Sequence, residues 1–174
     1  MTQIRIAEKD PRKRGELFER MMGELLEKQG YDVTFNRVKQ PGYELDFDAQ
    51  HGNYKIIGEC KAHKGKIDSP DLLKFFGKFE LEKRTNSHLS AEFYSLSPLT
   101  GRNGAEELLE HIKEEHGILF SVHTPEEIID KLKSGGIVLG DIDQIEDEFK
   151  THIEGVAYVT GQKFYIDGIF LEYF

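Results

Sequence analysis

The sequence predicts an α/β domain: a mixed central sheet with helices on both faces, in the order αβββαβαβα. Three observations predict it. Residues 43–61 (YELDFDAQHGNYKIIGECK) read as two strands joined by a turn at His51-Gly52-Asn53. Residues 14–29 place Phe18, Met21, Met22, Leu25 and Leu26 at i, i+3, i+4, i+7 and i+8, one face of a helix. From residue 69 onward, helical and strand patterns alternate, which implies parallel neighbours joined by right-handed crossovers.

Residues 1–13 read as a loose, charged lead-in with no signal-peptide pattern. The helix at 14–29 is stopped by Gly30. Glu19 borders its apolar stripe, so it either pairs as an ordinary flank residue or turns towards a site at the core's edge. A strand is expected at 31–37, then a turn at Gln40-Pro41-Gly42. In the hairpin, Tyr43, Leu45, Phe47 and Ala49 alternate with Glu44, Asp46 and Asp48. Ser69 is expected to cap the next helix, with Pro70 first inside it and Leu72, Leu73, Phe76 and Phe79 as its core stripe. A strand at 91–96, a helix at 105–116 with Leu108, Leu109 and Ile112 inward, a strand at 117–122 and a helix from Thr124-Pro125 to about Ser134 complete the pattern.

Residues 135–174 change in style and are expected to be an acidic linker with a β appendage, after a main domain at 1–134. Val156–Val159 and Lys163–Asp167 flank a turn at Thr160-Gly161-Gln162. The aromatic end, GIFLEYF, is expected to close the sheet, pair with a second subunit, or mark the chain as a piece of something longer. The acidic run at Asp141–Glu148 is no calcium loop, because Ile145 takes a ligand position and the required glycine is missing.

With 174 residues, 38% hydrophobic and 32% charged, the chain suits one domain with a substantial core. No apolar run approaches the roughly 20 residues that span a bilayer, so no membrane is expected and a cytoplasmic location is. The single cysteine, Cys60, excludes an internal disulfide framework and a multi-cysteine zinc site. There is no phosphate-binding glycine loop and no HExxH, and no motif anchors a Ser-His-Asp nucleophile. His88, His111, His116, His123 and His152 are scattered and read mostly as surface or loop residues. The net charge is -9, but it is uneven. Residues 1–88 hold 17 Lys/Arg against 15 Asp/Glu, and residues 89–174 hold 6 against 17. The half with the hairpin is the one fit to approach phosphate.

Glu59 and Lys61 share one face of the second hairpin strand, so the hairpin could present Asp46, Glu59 and Lys61 to one point. Two carboxylates and a lysine there suit a hard divalent cation and a water beside it. The plainer alternative is a half-buried hairpin with a solvated charged face. The basic loop His63-Lys64-Gly65-Lys66 follows directly, and Lys74 and Lys78 lie one turn apart on the next helix. His63, Lys64, Lys66, Lys74 and Lys78 are therefore the candidate phosphate contacts.

Gly15-Glu16-Leu17-Phe18-Glu19, Gly30-Tyr31-Asp32-Val33, Glu44-Leu45-Asp46 and Gly58-Glu59-Cys60-Lys61 together resemble the PD-(D/E)xK nucleases, within them the Mrr-like (type IV restriction) branch. The likeness runs over about residues 14–133 and ends with GILFSVHTPEEIIDKL. The family's proline before the first acid is absent here, where Glu44-Leu45 stand. The resemblance implies a restriction-endonuclease-like three-layer core. It implies that Asp46, Glu59 and the Cys60 backbone carbonyl bind magnesium, for which manganese can substitute. Lys61 would then orient or help deprotonate the attacking water and stabilise the charged phosphorane, and Glu19 would support the metal site. The activity implied is hydrolysis of DNA phosphodiester bonds, in restriction or repair. A homodimer is expected, since cutting both strands of a duplex is simplest with two sites. The alternative is a nuclease-like module that binds nucleic acid or docks a partner at the front of a larger protein; an RNA-directed nuclease is a third reading.

Overall fold

The first helix begins earlier than its apolar stripe. In the computed structural model, which describes residues 6, 10–40, 43–62, 65–101, 104–134, 153–159, 162–167 and 171–173, helix α1 spans Pro11–Lys28. Asp10 accepts hydrogen bonds from the amides of Arg12 (2.8 Å) and Lys13 (3.1 Å). This side-chain cap, with Pro11 preset for a first helical turn, extends the helix three residues beyond the expected start. The chain leaves it through Gly30, whose φ of +90° suits a residue without a side chain.

Three strands follow: β1 (Asp32–Gln40), β2 (Tyr43–His51) and β3 (Tyr54–Lys61). β1 runs three residues past its expected end. Helix α2 (Ser69–Lys83), strand β4 (Leu89–Ser95), helix α3 (Ala105–His116), a 3-10 turn (Gly117–Leu119), strand β5 (Phe120–His123) and helix α4 (Pro125–Ser134) complete the main unit. The central sheet has the order β1-β2-β3-β4-β5. The β1–β2 and β2–β3 pairs are antiparallel, and the β3–β4 and β4–β5 pairs are parallel. The mixed sheet and the order αβββαβαβα are as the sequence predicts. Among the described residues no helix is long and apolar enough to cross a membrane.

Two details of α2 differ from expectation. Its cap is Asp68, which accepts from the Asp71 amide, and Ser69 is the first helical residue. Its buried side is Leu72, Phe75, Lys78, Phe79 and Glu82, while Leu73 is 51% exposed. This stripe also has helical spacing, but it carries two charges, which the chain accommodates by pairing them.

Two apolar layers sandwich the sheet. On one face α1 and α4 (Phe18, Met22, Leu26, Ile128, Leu132) cover Phe47, Ala49, Ile56, Cys60 and Tyr94. On the other, α2 and α3 (Leu72, Phe75, Phe79, Leu109, Ile112) cover Leu45, Ile57, Ala91, Phe93 and Phe120. β2 thus changes sides. Tyr43 and Leu45 join the second layer, Phe47 and Ala49 the first, although strict alternation would put all four on one face. The switch falls at Asp46.

A second, separate sheet is formed by β6 (Ile153–Val159), β7 (Gln162–Asp167) and β8 (Leu171–Tyr173), all antiparallel. The expected hairpin is there. The terminal strand pairs with β7 and does not close the central sheet. The acidic run at 141–148 and His152 lie outside the described residues.

Gly58 shows how tightly the hairpin is built. A Cβ on Gly58 would overlap the ring of Phe47, its partner across the β2–β3 pair. Gly58→Ala must push that ring into a filled layer, a cost of roughly 1–3 kcal/mol for overpacking. Urea unfolding should show the lowered midpoint, whereas Gly77→Ala, at a helical glycine with open space around it, should show no such loss.

Candidate active site

The site forms where β2 parts from β3. Their backbone pairing runs from His51–Tyr54 to Phe47–Gly58. One residue further along β2, the carboxylate of Asp46 accepts the Cys60 amide at 2.6 Å. A side chain thus takes the place of a ladder carbonyl, satisfying a donor that would otherwise lie buried and bare. In β1, Asn36 sits between the paired residues Phe35 and Arg37 with φ +50°. A left-handed residue bends an extended chain, and Asn tolerates it better than most. The bend re-aims the strand where Asp46 needs to turn, as irregularities in strands beside active sites commonly do.

Glu59 is two residues beyond Ile57 in β3 and so faces the α2 layer. Both of its oxygens are engaged. Lys61 Nζ lies 2.6 Å from Oε1 and Lys78 Nζ lies 2.7 Å from Oε2. Lys78 comes from the buried stripe of α2, and its side chain is 8% exposed. The expectation that Lys78 contacts nucleic acid is therefore corrected: its ammonium is turned inward onto Glu59, out of reach of a phosphate backbone. Around it runs a polar network. The Tyr43 hydroxyl bonds the Lys78 carbonyl (3.2 Å) and Glu82 (2.9 Å). Lys55 bridges Glu82 (3.1 Å) and Asp48 (3.3 Å).

Glu19 reaches the site from α1, on the opposite side of the sheet from α2. Burial raises its pKa to about 7, helped by the negative charges of Asp46, Glu16 and Glu59. Burial raises Asp46 to about 6, with Glu59 adding to the shift and the Cys60 amide and Lys61 opposing it. Burial also works against the Glu59 anion, but Lys61 and Lys78 outweigh it and hold the carboxyl below its usual range. Burial likewise opposes charge on Lys61, and Glu59 more than compensates, so this lysine stays protonated. Burial pushes the Cys60 thiol well up, and the neighbouring carboxylates reinforce this. It is an apolar side chain, not a nucleophile.

Three carboxylates thus face two lysines. Carboxylate and carbonyl oxygens are the donors that hard divalent cations take, and an excess of negative charge is what such an ion relieves. Asp46, Glu59 and the Cys60 carbonyl fit a magnesium-like ion on that chemistry. Among the described residues no three His, Cys, Asp or Glu side chains are grouped so that they could hold a metal ion by themselves. An ion here would complete its shell with water and substrate oxygens, as magnesium usually does.

Of the other expected phosphate contacts, Lys66 and Lys74 are exposed, and His63 and Lys64 lie outside the described residues. Tyr43 and Glu82 join the site without having been singled out by the sequence, and Lys78 joins it as a partner of Glu59. The signal for Lys78 and Glu82 is the spacing of Phe75, Lys78, Phe79 and Glu82 at i, i+3, i+4 and i+7. A second buried cluster sits on the α1/α4 face. Glu92 meets His123 (3.4 Å), Lys131 (3.5 Å) and the Tyr94 hydroxyl. Burial opposes the Glu92 anion, but these partners hold its pKa at about 2. His116, largely buried between Lys83 (2.7 Å) and Glu80 (3.3 Å), and His123 are therefore not the surface residues expected.

Residues 12–92 match the family model Mrr_cat, restriction endonuclease. The resemblance read from the sequence is borne out over that segment, which contains Glu19, Asp46, Glu59, Lys61 and Lys78. Among solved structures, that of a protein of unknown function, AF1548, matches with a TM-score of 0.53 and 18% identity, over 76% of this chain and 73% of that one. The MspJI restriction endonuclease in complex with a 27-mer oligonucleotide is more remote, with a TM-score of 0.42 and 12% identity, over 76% of this chain and 31% of that one. No curated protein matches the sequence. The fold is restriction-endonuclease-like, and the matched family points to nuclease activity.

The raised carboxyls have a consequence for stability. Asp46 and Glu19 bind protons more tightly folded than unfolded, so their contribution is full below about pH 4. It is lost as pH rises through about 6 and 7. Metal-free protein should lose thermal stability from these two groups between pH 5 and 7.5. Asp46→Asn, which keeps an acceptor for the Cys60 amide, should flatten that slope and stabilise the protein at pH 8 by roughly 1–3 kcal/mol. Calorimetry across the pH range reads both, and a slope unchanged in Asp46→Asn would refute the assignment.

Proposed function

We propose that the chain is a divalent-metal-dependent endonuclease that hydrolyses DNA phosphodiester bonds. The observation that carries this is the meeting of Asp46, Glu59, Lys61 and Glu19 where β2 leaves β3, within the segment that matches a restriction endonuclease family. Asp46, Glu59 and the Cys60 carbonyl would hold the ion, magnesium or manganese. When bound, it would supply charge neutralisation at the phosphate and a more acidic water.

The chain's own groups do the rest. Lys61 remains an ammonium beside Glu59, so it acts as a donor and a charge: it orients the attacking water and stabilises the phosphorane. A protonated lysine is a poor base. Glu19, with a pKa of about 7, has the basicity to take up the water's proton near neutral pH. Lys66, Lys74 and the loop at 63–64 would meet the phosphate backbone of DNA. Cutting both strands of a duplex is simplest with two such sites, which a homodimer would provide. The proposal places the enzyme in the cytoplasm, in restriction or repair.

The test is nicking of supercoiled plasmid with and without magnesium. Asp46→Ala, Glu59→Ala and Lys61→Ala should each lower the rate by about 10²–10³-fold, the scale for removing one preorganised electrostatic group. A chelator should abolish cleavage, and magnesium should restore it. Mutants as active as the wild type would mean a contaminating nuclease. DNA binding without cleavage in any metal would favour a nuclease-like binding module.

At magnesium concentrations well below saturation, the rate should also rise with pH between about 5.5 and 7.5, as Asp46 and Glu19 ionise and protons cease to compete with the ion. Steady-state rates over that range check it, and a profile that stays flat at low magnesium would remove both carboxylates from the mechanism.

A further inference from the structure

Asp46, Glu59 and Lys61 all belong to one hairpin, but the second cation on Glu59 comes from outside it. Both Glu59 oxygens are occupied, Oε1 by Lys61 and Oε2 by Lys78. An ion or substrate group that takes up an oxygen of Glu59 must share it with, or displace, the lysine already there, Lys61 at Oε1 or Lys78 at Oε2. They are not equally free to go. Lys61 is the last residue of β3, and its side chain is 25% exposed. Lys78 is 8% exposed and lies between Phe75 and Phe79, both fully buried in the α2 layer. Its own backbone is pinned, since its carbonyl accepts the Tyr43 hydroxyl, which also bonds Glu82.

We infer that Lys78 is a positioning residue for cleavage, which keeps hold of Glu59 when Lys61 releases it to meet the scissile phosphate. The inference rests on the nuclease reading above. Without Lys78, the departure of Lys61 would leave the buried Glu59 with the ion as its one charged partner and no lysine to fix the orientation of its carboxylate. Lys61 would then be retained by Glu59 and unavailable to the substrate. With Lys78 in place, Glu59 stays ionised and aimed throughout. Lys78 does this without touching DNA, because its ammonium is spent inside the core.

The experiment compares wild type with Lys78→Met, Lys78→Gln and Lys78→Arg. It measures plasmid cleavage, DNA binding over a range of salt, Mn2+ binding by titration calorimetry, and melting. Removing an outer partner of a metal ligand typically costs 10–100-fold in affinity or rate. Lys78→Met should accordingly lower kcat by about 10–100-fold and weaken Mn2+ binding by about tenfold. KM for DNA and the salt slope of DNA binding should not change. Lys78→Arg should recover most of the rate. Should Lys78→Met fail to fold, Lys78→Gln retains a donor to Glu59 and should show the same loss in kcat at constant KM.

Cleavage by Lys78→Met or Lys78→Gln within twofold of wild type would overturn the inference alone. So would a shallower salt slope with raised KM, which would make Lys78 a phosphate contact, and so would failure of Lys78→Arg to recover any rate. A wild type that neither cleaves DNA nor binds Mn2+ would remove the nuclease reading itself, and this inference with it.

Discussion

Glu59 is ionised where water is nearly excluded, and much of the architecture around it follows from that. A buried carboxylate is tolerable only with cations and donors around it. Lys61 supplies one from the same strand, and Lys78 supplies the other from α2. To bring Lys78 within 2.7 Å, α2 must lie with a charged stripe against the sheet. That stripe includes Glu82, which in turn requires Lys55 and Tyr43. One anion at the end of a strand thus sets the rotation of a helix and the partners of five other side chains. The arrangement does not make the fold exceptionally stable, since ion pairs of this kind gain little over apolar packing. What it does is make the geometry hard to change one residue at a time, because removing either partner leaves a bare charge.

The opposite face repeats the principle with different groups. Glu92 in β4 is held by His123 from β5 and Lys131 from α4, and the Tyr94 ring stacks on His123 at 4.8 Å. Glu19 approaches the site from the α1 side of the sheet, and Lys78 approaches from the α2 side. The candidate site therefore draws on all three layers.

Much of this was legible in the sequence, and the reasons are physical. Period two put Glu59 and Lys61 on one face, and period 3.6 put Glu19 at the edge of the α1 stripe. Both depend on local geometry alone. The layer order followed from alternation and crossover handedness. What escaped was decided by competition between distant parts of the chain. The run LLKFFGKFELE contains two helical stripes, one all apolar and one carrying Lys78 and Glu82. Hydrophobicity favours the first, and the need to neutralise Glu59 and Lys55 selects the second. The change of face in β2 is equally invisible locally, because Tyr43, Leu45, Phe47 and Ala49 alternate without a break. It arises because Asp46 bonds the Cys60 amide in place of a ladder carbonyl. The start of α1 was misplaced for a smaller reason: its first turn is polar, and only the Asp10-Pro11 cap reveals it.

The hydrogen bond from the Cys60 amide to Asp46 gives position 46 a structural duty, to which the proposed function would add a second with a different chemical demand. As a metal ligand the residue would have to be an anion; as the acceptor for the Cys60 amide it need only offer an oxygen. These duties can be inherited separately. A descendant that abandoned cleavage would be released from the need for charge but would remain bound by the need for an acceptor. Drift at this site would then run towards Asn and away from small apolar residues. An intact-looking hairpin with Asn at this position would be the signature of a retired nuclease that still folds, whereas an Ala there would mark a chain that had also rebuilt its strand ending.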